Sequence, residues 1–279
     1  MTIDRNCIGY KVDPIEQRYD WRDVALYALG LGAGEDDLGY LLDRPGQKVL
    51  PTYGVIPAFV PVFDAMGRTQ ADLVQLLHTG QRTELLRPFP SHGVMRTSAT
   101  IRGIWDMKVG AIAYVDTETE VNGEPACRTT WQLLLRGEGG FGGERPPAGL
   151  RTKPPKDKQP DFEVKVPTRR DQALLYRLTG DVNPIHADPE VAKQAGFDRP
   201  ILHGLCTYAI ASRIALKQLA GDDPSRFKAF ETRFAKVVMP GDTLIVRGYR
   251  LDAEGQAALT VTVEETGEQA IANSLFEYR

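Results

Sequence analysis

Gly180-Asp181-Val182-Asn183-Pro184-Ile185-His186-Ala187-Asp188-Pro189, followed by Gly196-Phe197 and then Pro200-Ile201-Leu202-His203-Gly204-Leu205-Cys206, is the stretch on which the reading turns. It places a carboxylate and an imidazole in one turn-rich segment, with Pro184 stiffening the chain between them. A His-Gly step then opens a long apolar run, 205–219, that reads as a buried helix. Two acid–base groups on a loop beside a helix N-terminus are a candidate reaction centre, because loops held by a rigid scaffold carry much of protein chemistry. Taken singly, Asp181 reads as a helix-terminus or Asx-turn residue and His186 as a buried structural histidine. The whole run reverses those readings.

Downstream of this stretch, the segments 231–238, 243–251, 258–265 and 270–277 are strand-like and separated by turn residues. In the third, Leu259, Val261 and Val263 alternate with Thr260, Thr262 and Glu264. Upstream, Thr168 can cap a helix running through Leu178 with Gly180 as its stop, and Asp188-Pro189 to Gly196 reads as a second, short helix. Further upstream the segment 137–160 is rich in Gly, Pro and Lys and reads as an exposed connection. It separates two pieces of similar size, 1–136 and 161–279.

The first piece runs like the second. Asp20 can cap a helix over 21–29, where Ala25-Leu26-Tyr27-Ala28-Leu29-Gly30 echoes Ala173-Leu174-Leu175-Tyr176-Arg177-Leu178. Strand-like runs follow at 94–105, 111–121 and 126–136. One helix in the concave face of an antiparallel sheet, made twice, is an α+β arrangement and reads as a diverged duplication.

With 279 residues, 42% hydrophobic and 25% charged, the chain has the composition of a globular enzyme. Its net charge of −3 gives no reason to expect a nucleic acid or a membrane surface as partner. Cys7, Cys127 and Cys206 are far apart, so a disulfide framework or zinc knuckle is not expected, and a reducing cytoplasm is the expected compartment. The start of the chain lacks the pattern of a secretory signal, and no apolar run approaches a membrane span.

The segment 173–208 resembles the signature of the MaoC-like, hydratase 2 family, and looser similarities extend over nearly the whole chain. They include Tyr27-Ala28-Leu29-Gly30-Leu31-Gly32, Leu50-Pro51-Thr52-Tyr53-Gly54-Val55-Ile56-Pro57, Ser225-Arg226-Phe227-Lys228 and Arg233-Phe234-Ala235. The resemblance implies a double hot-dog fold and reversible hydration of a trans-2-enoyl-CoA to a (3R)-3-hydroxyacyl-CoA in fatty-acid or related β-oxidation. It implies no metal or redox cofactor, an acyl-CoA thioester as partner, and, by analogy of fold, a homodimer.

The residue types suit that chemistry. Hydration needs a base for the water that attacks C3, an acid for C2, and donors for the enolate-like charge on the thioester oxygen. Asp181 and His186 are the candidate acid–base pair, with the assignment of base and acid open, and Asn183 can orient the water or the imidazole. Gly204 allows close approach of the substrate, and its N–H at the helix start is the expected oxyanion donor. His203 reads as structural or as a water contact.

The resemblance adds His78, Thr79, Phe234 and the Asp106–Gly110 loop as binding contacts, with Val182, Pro184 and Ile185 against the substrate. In that loop Lys108 is shifted by one residue from the family pattern, so contact with a CoA phosphate and a solvated surface lysine are equal readings. The first half reads Gly32-Ala33-Gly34-Glu35-Asp36-Asp37 where the echo would place the dyad, which leaves one active site per chain and a first repeat free to shape an acyl-chain tunnel.

The rivals are a hydratase for a bulky or branched acyl group such as a sterol side chain, a thioesterase, and a non-catalytic acyl-CoA-binding subunit. His203 and Cys206 with His186 lack a fourth ligand for structural zinc. The glycines of 137–143 lack the lysine and helix of a nucleotide loop.

Overall fold

A computed structural model describes residues 3–73, 76–108, 110–149 and 152–279. The strands of the described residues are β1 (Lys11–Tyr19), β2 (Leu76–Leu85), β3 (Gly93–Asp106), β4 (Gly110–Val121), β5 (Glu124–Arg136), β6 (Phe162–Pro167), β7 (Phe227–Phe234), β8 (Thr243–Arg250), β9 (Gln256–Val263) and β10 (Gln269–Tyr278). The helices are α1 (Trp21–Gly30), α2 (Leu38–Leu41), α3 (Phe59–Gly67), α4 (Gln172–Tyr176), α5 (Pro189–Gln194) and α6 (Gly204–Leu219).

All ten strands join in one antiparallel sheet, in the order β1-β3-β4-β5-β2-β7-β10-β9-β8-β6. From either outer edge inward the order is that of one repeat: β1, β3, β4, β5, β2 in the first half, and β6, β8, β9, β10, β7 in the second. The halves meet where β2 pairs with β7, Gly80 opposite Arg233 and Glu84 opposite Ala229. Two repeats of the same order, each wrapped on a helix and joined through equivalent strands, make the double hot-dog expected from the resemblance.

The long helix α6 is apolar on nearly every face and is buried against β7, β8, β9 and β10. Its first-half counterpart is α3, which packs on β1, β3 and β4. Helix α1, capped by Asp20 through a hydrogen bond from the Arg22 N–H, lies elsewhere. It packs on α4, so the two segments that echo each other in sequence touch. Gly30 allows this approach, since a Cβ there would meet Tyr176 Cα at 3.3 Å, and Gln172 Nε2 donates to the Gly30 carbonyl at 2.6 Å.

Four local expectations are revised. Thr168 does not cap a helix, because its hydroxyl donates to the Asp242 carbonyl and accepts the Gly241 N–H. Helix α4 starts at Gln172, and a 3-10 turn, Arg177–Thr179, completes it. The strand expected at 231–238 is β7, Phe227–Phe234, shifted because residues 235–238 leave the sheet to wall a cavity. The helix cradled by the first sheet is α3 and not 21–29.

The glycine-rich segment is also tied down. Asp106 accepts N–H groups from Lys108 (2.6 Å), Gly140 (2.9 Å) and Gly142 (2.5 Å), which holds its carboxyl below the usual carboxylate range. Neither a helix nor a strand forms in 137–149 and 152–160. No described helix is long and apolar enough to cross a membrane.

Candidate active site

The motif loop, the start of α6 and the strand junction converge on one cavity of about 360 Å³. Asp181, Asn183, Ile185, His186 and Gly204 reach it from the second repeat, and His78 and Thr79 from β2. Phe234 lines it from β7. Of the other candidates, Val182 and Pro184 are exposed on the loop and do not line it, nor does Lys108. Lys108 sits in the exposed β3–β4 turn at φ 68°, its N–H held by Asp106, and Val109 beside it lies outside the described residues. The geometry therefore gives Lys108 no contact with this cavity.

Local physics fixes the loop. Gly180 takes φ 144°, a conformation closed to L side chains, and turns the chain out of the 3-10 turn. Asp181 Oδ1 accepts the Asn183 N–H at 3.2 Å, and Asn183 Oδ1 accepts the Ile185 N–H at 3.2 Å. The second bond caps the 3-10 turn Pro184–His186, which delivers His186 into the cavity. His186 Nδ1 lies 2.9 Å from the Ile201 carbonyl. A carbonyl only accepts, so Nδ1 carries the proton and Nε2 of the neutral ring presents a lone pair.

The donor atoms of Asp181, His186 and His203 lie within 4.8 Å of one another. Burial pushes the Asp181 carboxyl up, opposed by the attraction of His186, and burial pushes the His186 imidazole down, opposed by Asp181. Both shifts favour the uncharged pair, a carboxyl beside a basic nitrogen. As metal ligands the three fit poorly. The two rings stack at 3.7 Å, 28° apart, and each has a nitrogen committed to a backbone carbonyl, so their lone pairs do not converge on one point.

Gly204 is the first residue of α6, and among the described residues no acceptor takes its N–H. His203 precedes it at φ −56°, ψ 130°, and turns the chain into the helix. Opposite, His78 lies flat on Trp131 (4.7 Å, 8°) and edge-on to Phe234 (5.1 Å, 74°). Its Nε2 donates to the Gly80 carbonyl at 3.0 Å, and burial lowers its pKa to about 4. The β2–β5 register slips between His78 and Gly80, an irregularity that aims the His78–Thr79 pair into the cavity.

Sequence reasoning missed the far wall: Phe59 and Phe63 of α3, Trp131 and Leu133 of β5, and Lys236 at the mouth, the last paired with Glu268 at 2.9 Å. The period of α3 was the only available signal, since the wall comes from the other repeat.

The fold and this site define a double hot-dog of the hydratase–dehydratase class. Residues 151–272 match the model of the MaoC like domain, and residues 17–137 match the MFE-2 hydratase 2 N-terminal domain. A probable enoyl-CoA hydratase 2 of Dictyostelium discoideum is 40% identical over 90% of this chain and 89% of that one. A peroxisomal enoyl-CoA hydratase 2 of Arabidopsis thaliana is 37% identical over 85% of this chain and 84% of that one. The crystal structure of a MaoC-like dehydratase from Phytophthora capsici superposes with a TM-score of 0.87 at 30% identity, covering 97% of this chain and 96% of that one. The chain belongs to the MaoC-like, hydratase 2 family.

Proposed function

We propose that this chain is an (R)-specific 2-enoyl-CoA hydratase that adds water reversibly and syn to a trans-2-enoyl-CoA, giving the (3R)-3-hydroxyacyl-CoA. The observation that carries the reading is the convergence of three groups on one largely apolar cavity: the Asp181 carboxyl, the His186 Nε2 lone pair and the untaken Gly204 N–H. A water between Asp181 and His186 gives one proton to His186 Nε2 as its oxygen bonds to C3. The protonated Asp181 delivers a proton to C2, and the imidazolium returns its proton to the carboxylate to reset the pair. The thioester oxygen, negative in the transition state, faces the Gly204 N–H at the positive end of α6. Asn183 spends its oxygen on the Ile185 N–H, which leaves its amide NH₂ to orient the water.

The first repeat acts as the acyl-chain wall through Phe59, Phe63, His78 and Trp131, with 1–136, 137–160 and 161–279 as functional divisions. The substrate belongs to fatty-acid or related β-oxidation, the protein acts as a homodimer, and the three free, buried cysteines fit a reducing cytoplasm. A second reading, a bulky or branched acyl group, is favoured by Phe63, Leu77 and Val237, which line the cavity yet remain 37–41% exposed.

The test is loss of the conjugated enoyl absorbance with trans-2-enoyl-CoA esters from four to sixteen carbons, with chiral analysis of the product. Formation of (3R)-hydroxyacyl-CoA is expected. Release of free CoA, detected with a thiol reagent, overturns the reading in favour of a thioesterase. Binding without turnover of linear or branched esters overturns it in favour of a binding protein.

A further inference from the structure

His203 holds the motif loop and the His186 ring without facing the cavity. It is fully buried, and its Nε2 lies 3.1 Å from the backbone carbonyl of Asp181. Its ring stacks on the His186 ring at 3.7 Å and lies 4.9 Å from the tilted Tyr176 ring, and its own carbonyl carbon bonds to the Gly204 nitrogen. One side chain thus ties the loop that holds the carboxyl to the flat of the imidazole, from the residue next to the oxyanion N–H. We propose that His203 is a positioning residue for the hydration: a neutral ring, locked in its Nε2–H form, that sets the orientation of His186 against Asp181 and Gly204. The inference rests on the hydratase reading for its kinetic consequence, though its structural content stands without it.

The protonation state follows from hydrogen-bond chemistry. The Asp181 carbonyl can only accept, so the proton of the neutral ring is on Nε2. Nδ1 is buried with no partner among the described residues, where a lone pair is tolerated at less cost than an N–H donor. A second proton would strand that donor and place a charge against His186. The charged and titratable groups around it are His186, Asp181, Arg177 and Tyr176, and of these only Asp181 would welcome a cation, through a side chain already turned to His186. Burial is the main force on the ring and lowers its pKa to about 2.

A phenylalanine supplies the stacking face without the donor, and a glutamine supplies a donor without the face. Neither alone reproduces the set. Misplacing a catalytic group by about 1 Å costs about 10²-fold in rate. His203→Phe and His203→Gln should therefore each lower kcat about 10²-fold with KM changed less than about threefold. Each should also move the acid limb of the kcat/KM profile to higher pH, because loosening the stack lets water reach His186 and relieves the burial that lowers its pKa.

The experiment pairs those variants with ¹⁵N NMR of the histidine rings of the wild-type protein, which needs neither substrate nor a folded variant. The inference expects two buried rings to stay neutral with the proton on Nε2 from pH 5 to 9, His78 and a second one assigned to His203 by its absence from a folded variant or by its nuclear Overhauser contacts with Tyr176. A cationic His203, or a proton on Nδ1, overturns the inference even if both variants fail to fold. Wild-type kcat and an unmoved acid limb in folded His203→Phe and His203→Gln overturn it on the kinetic side. A wild-type protein that hydrates no enoyl-CoA, yet shows the neutral Nε2–H ring, leaves the packing role standing and removes the hydratase reading instead.

Discussion

Replacing Gly204 with proline isolates the oxyanion donor more cleanly than any other single change. Proline removes the backbone N–H, and the first position of a helix is where an N–H has no intrahelical partner to lose. The preceding residue must avoid the helical region, and His203 already sits at φ −56°, ψ 130°. Gly204 is helical, so a φ fixed near −65° costs little, and the nearest atoms a Cβ there would meet belong to the Phe234 ring, at 3.5 Å, an ordinary contact. The fold should therefore hold, with Tm unchanged or slightly raised. Loss of one oxyanion donor costs about 10²–10³ in kcat, or about 2.7–4 kcal/mol of transition-state stabilisation.

Gly204→Ala keeps the N–H and adds the same Cβ, so it measures the Cβ part of the steric effect, while the bulk that the proline ring places at the nitrogen is read by the ligand-binding measurement. The assay is enoyl-CoA hydration at saturating substrate, with (3R)-hydroxyacyl-CoA binding measured separately to show that the site still accepts a thioester. A folded Gly204→Pro within tenfold of wild type would remove the oxyanion role of this N–H. So would equal losses in the alanine and proline variants, since they would report sterics alone.

Asp181→Asn and His186→Asn should each lower kcat by about 10²–10⁴, and the double variant should lose little beyond the worse single one, because the two act as one proton-transfer unit. Losses that multiply would show independent roles. Histidines buried neutral make the protein acid-sensitive: His78, held at about 4, and His203, at about 2, both lie below the unfolded value of 6.5, so the unfolded state binds more protons between those limits. Their contribution is fully present above pH 6.5 and falls as pH drops, by up to about 1.4 kcal/mol per pH unit for each; urea midpoints at pH 7 and 5 read it, and a flat profile contradicts the assignment. Arg213→Met should cost up to about 3 kcal/mol, the low end for breaking a buried pair because Lys217 still lies 3.5 Å from Asp37, with kcat per folded molecule unchanged within about twofold. Adding Asp37→Leu should recover much of that loss in thermal melts, and a double variant as unstable as the single would contradict the pair.

What could be read from the sequence was what is local in it. Asp181, Asn183 and His186 lie on one short loop, so their convergence needs only a turn and a cap. Strand β9 announced itself because Leu259, Val261 and Val263 face the core from a strand with neighbours on both sides. Strand β1 did not: it is a sheet edge with Pro14 in its middle, and the register shift between Val12 and Ile15 absorbs that proline. Strand β2 hid for the opposite reason. It lies at the centre of the sheet between β5 and β7, where Gln81 and Thr83 are fully buried, and a strand with buried polar residues shows no hydrophobic period. Phe59 and Trp131 were out of reach because no local pattern says that a helix and a strand of one repeat close the site of the other.

The same pseudo-symmetry accounts for one buried Asp–His pair among the described residues and not two. The 3-10 turn Glu35–Asp37 is the first-repeat counterpart of Pro184–His186, and Asp37 stands at its end as His186 does. Arg213 of α6 reaches into that corner and bonds Asp37 Oδ2 at 3.0 Å and the Gly32 carbonyl at 3.3 Å. Lys217 lies 3.5 Å from the other carboxylate oxygen. In the 3-10 turn Pro51–Val55 ahead of α3, a Cβ on Gly54 would fall 2.4 Å from Cys127 Sγ, so the backbone there packs directly on β5. A buried ion pair thus fills the corner where a second dyad would stand. Installing an aspartate at 32 and a histidine at 37 would meet Arg213 before it met a substrate. With that corner closed, α3, β2 and β5 give Phe59, Phe63, His78 and Trp131 to the one cavity, beside Phe197 and Phe234 of the second repeat.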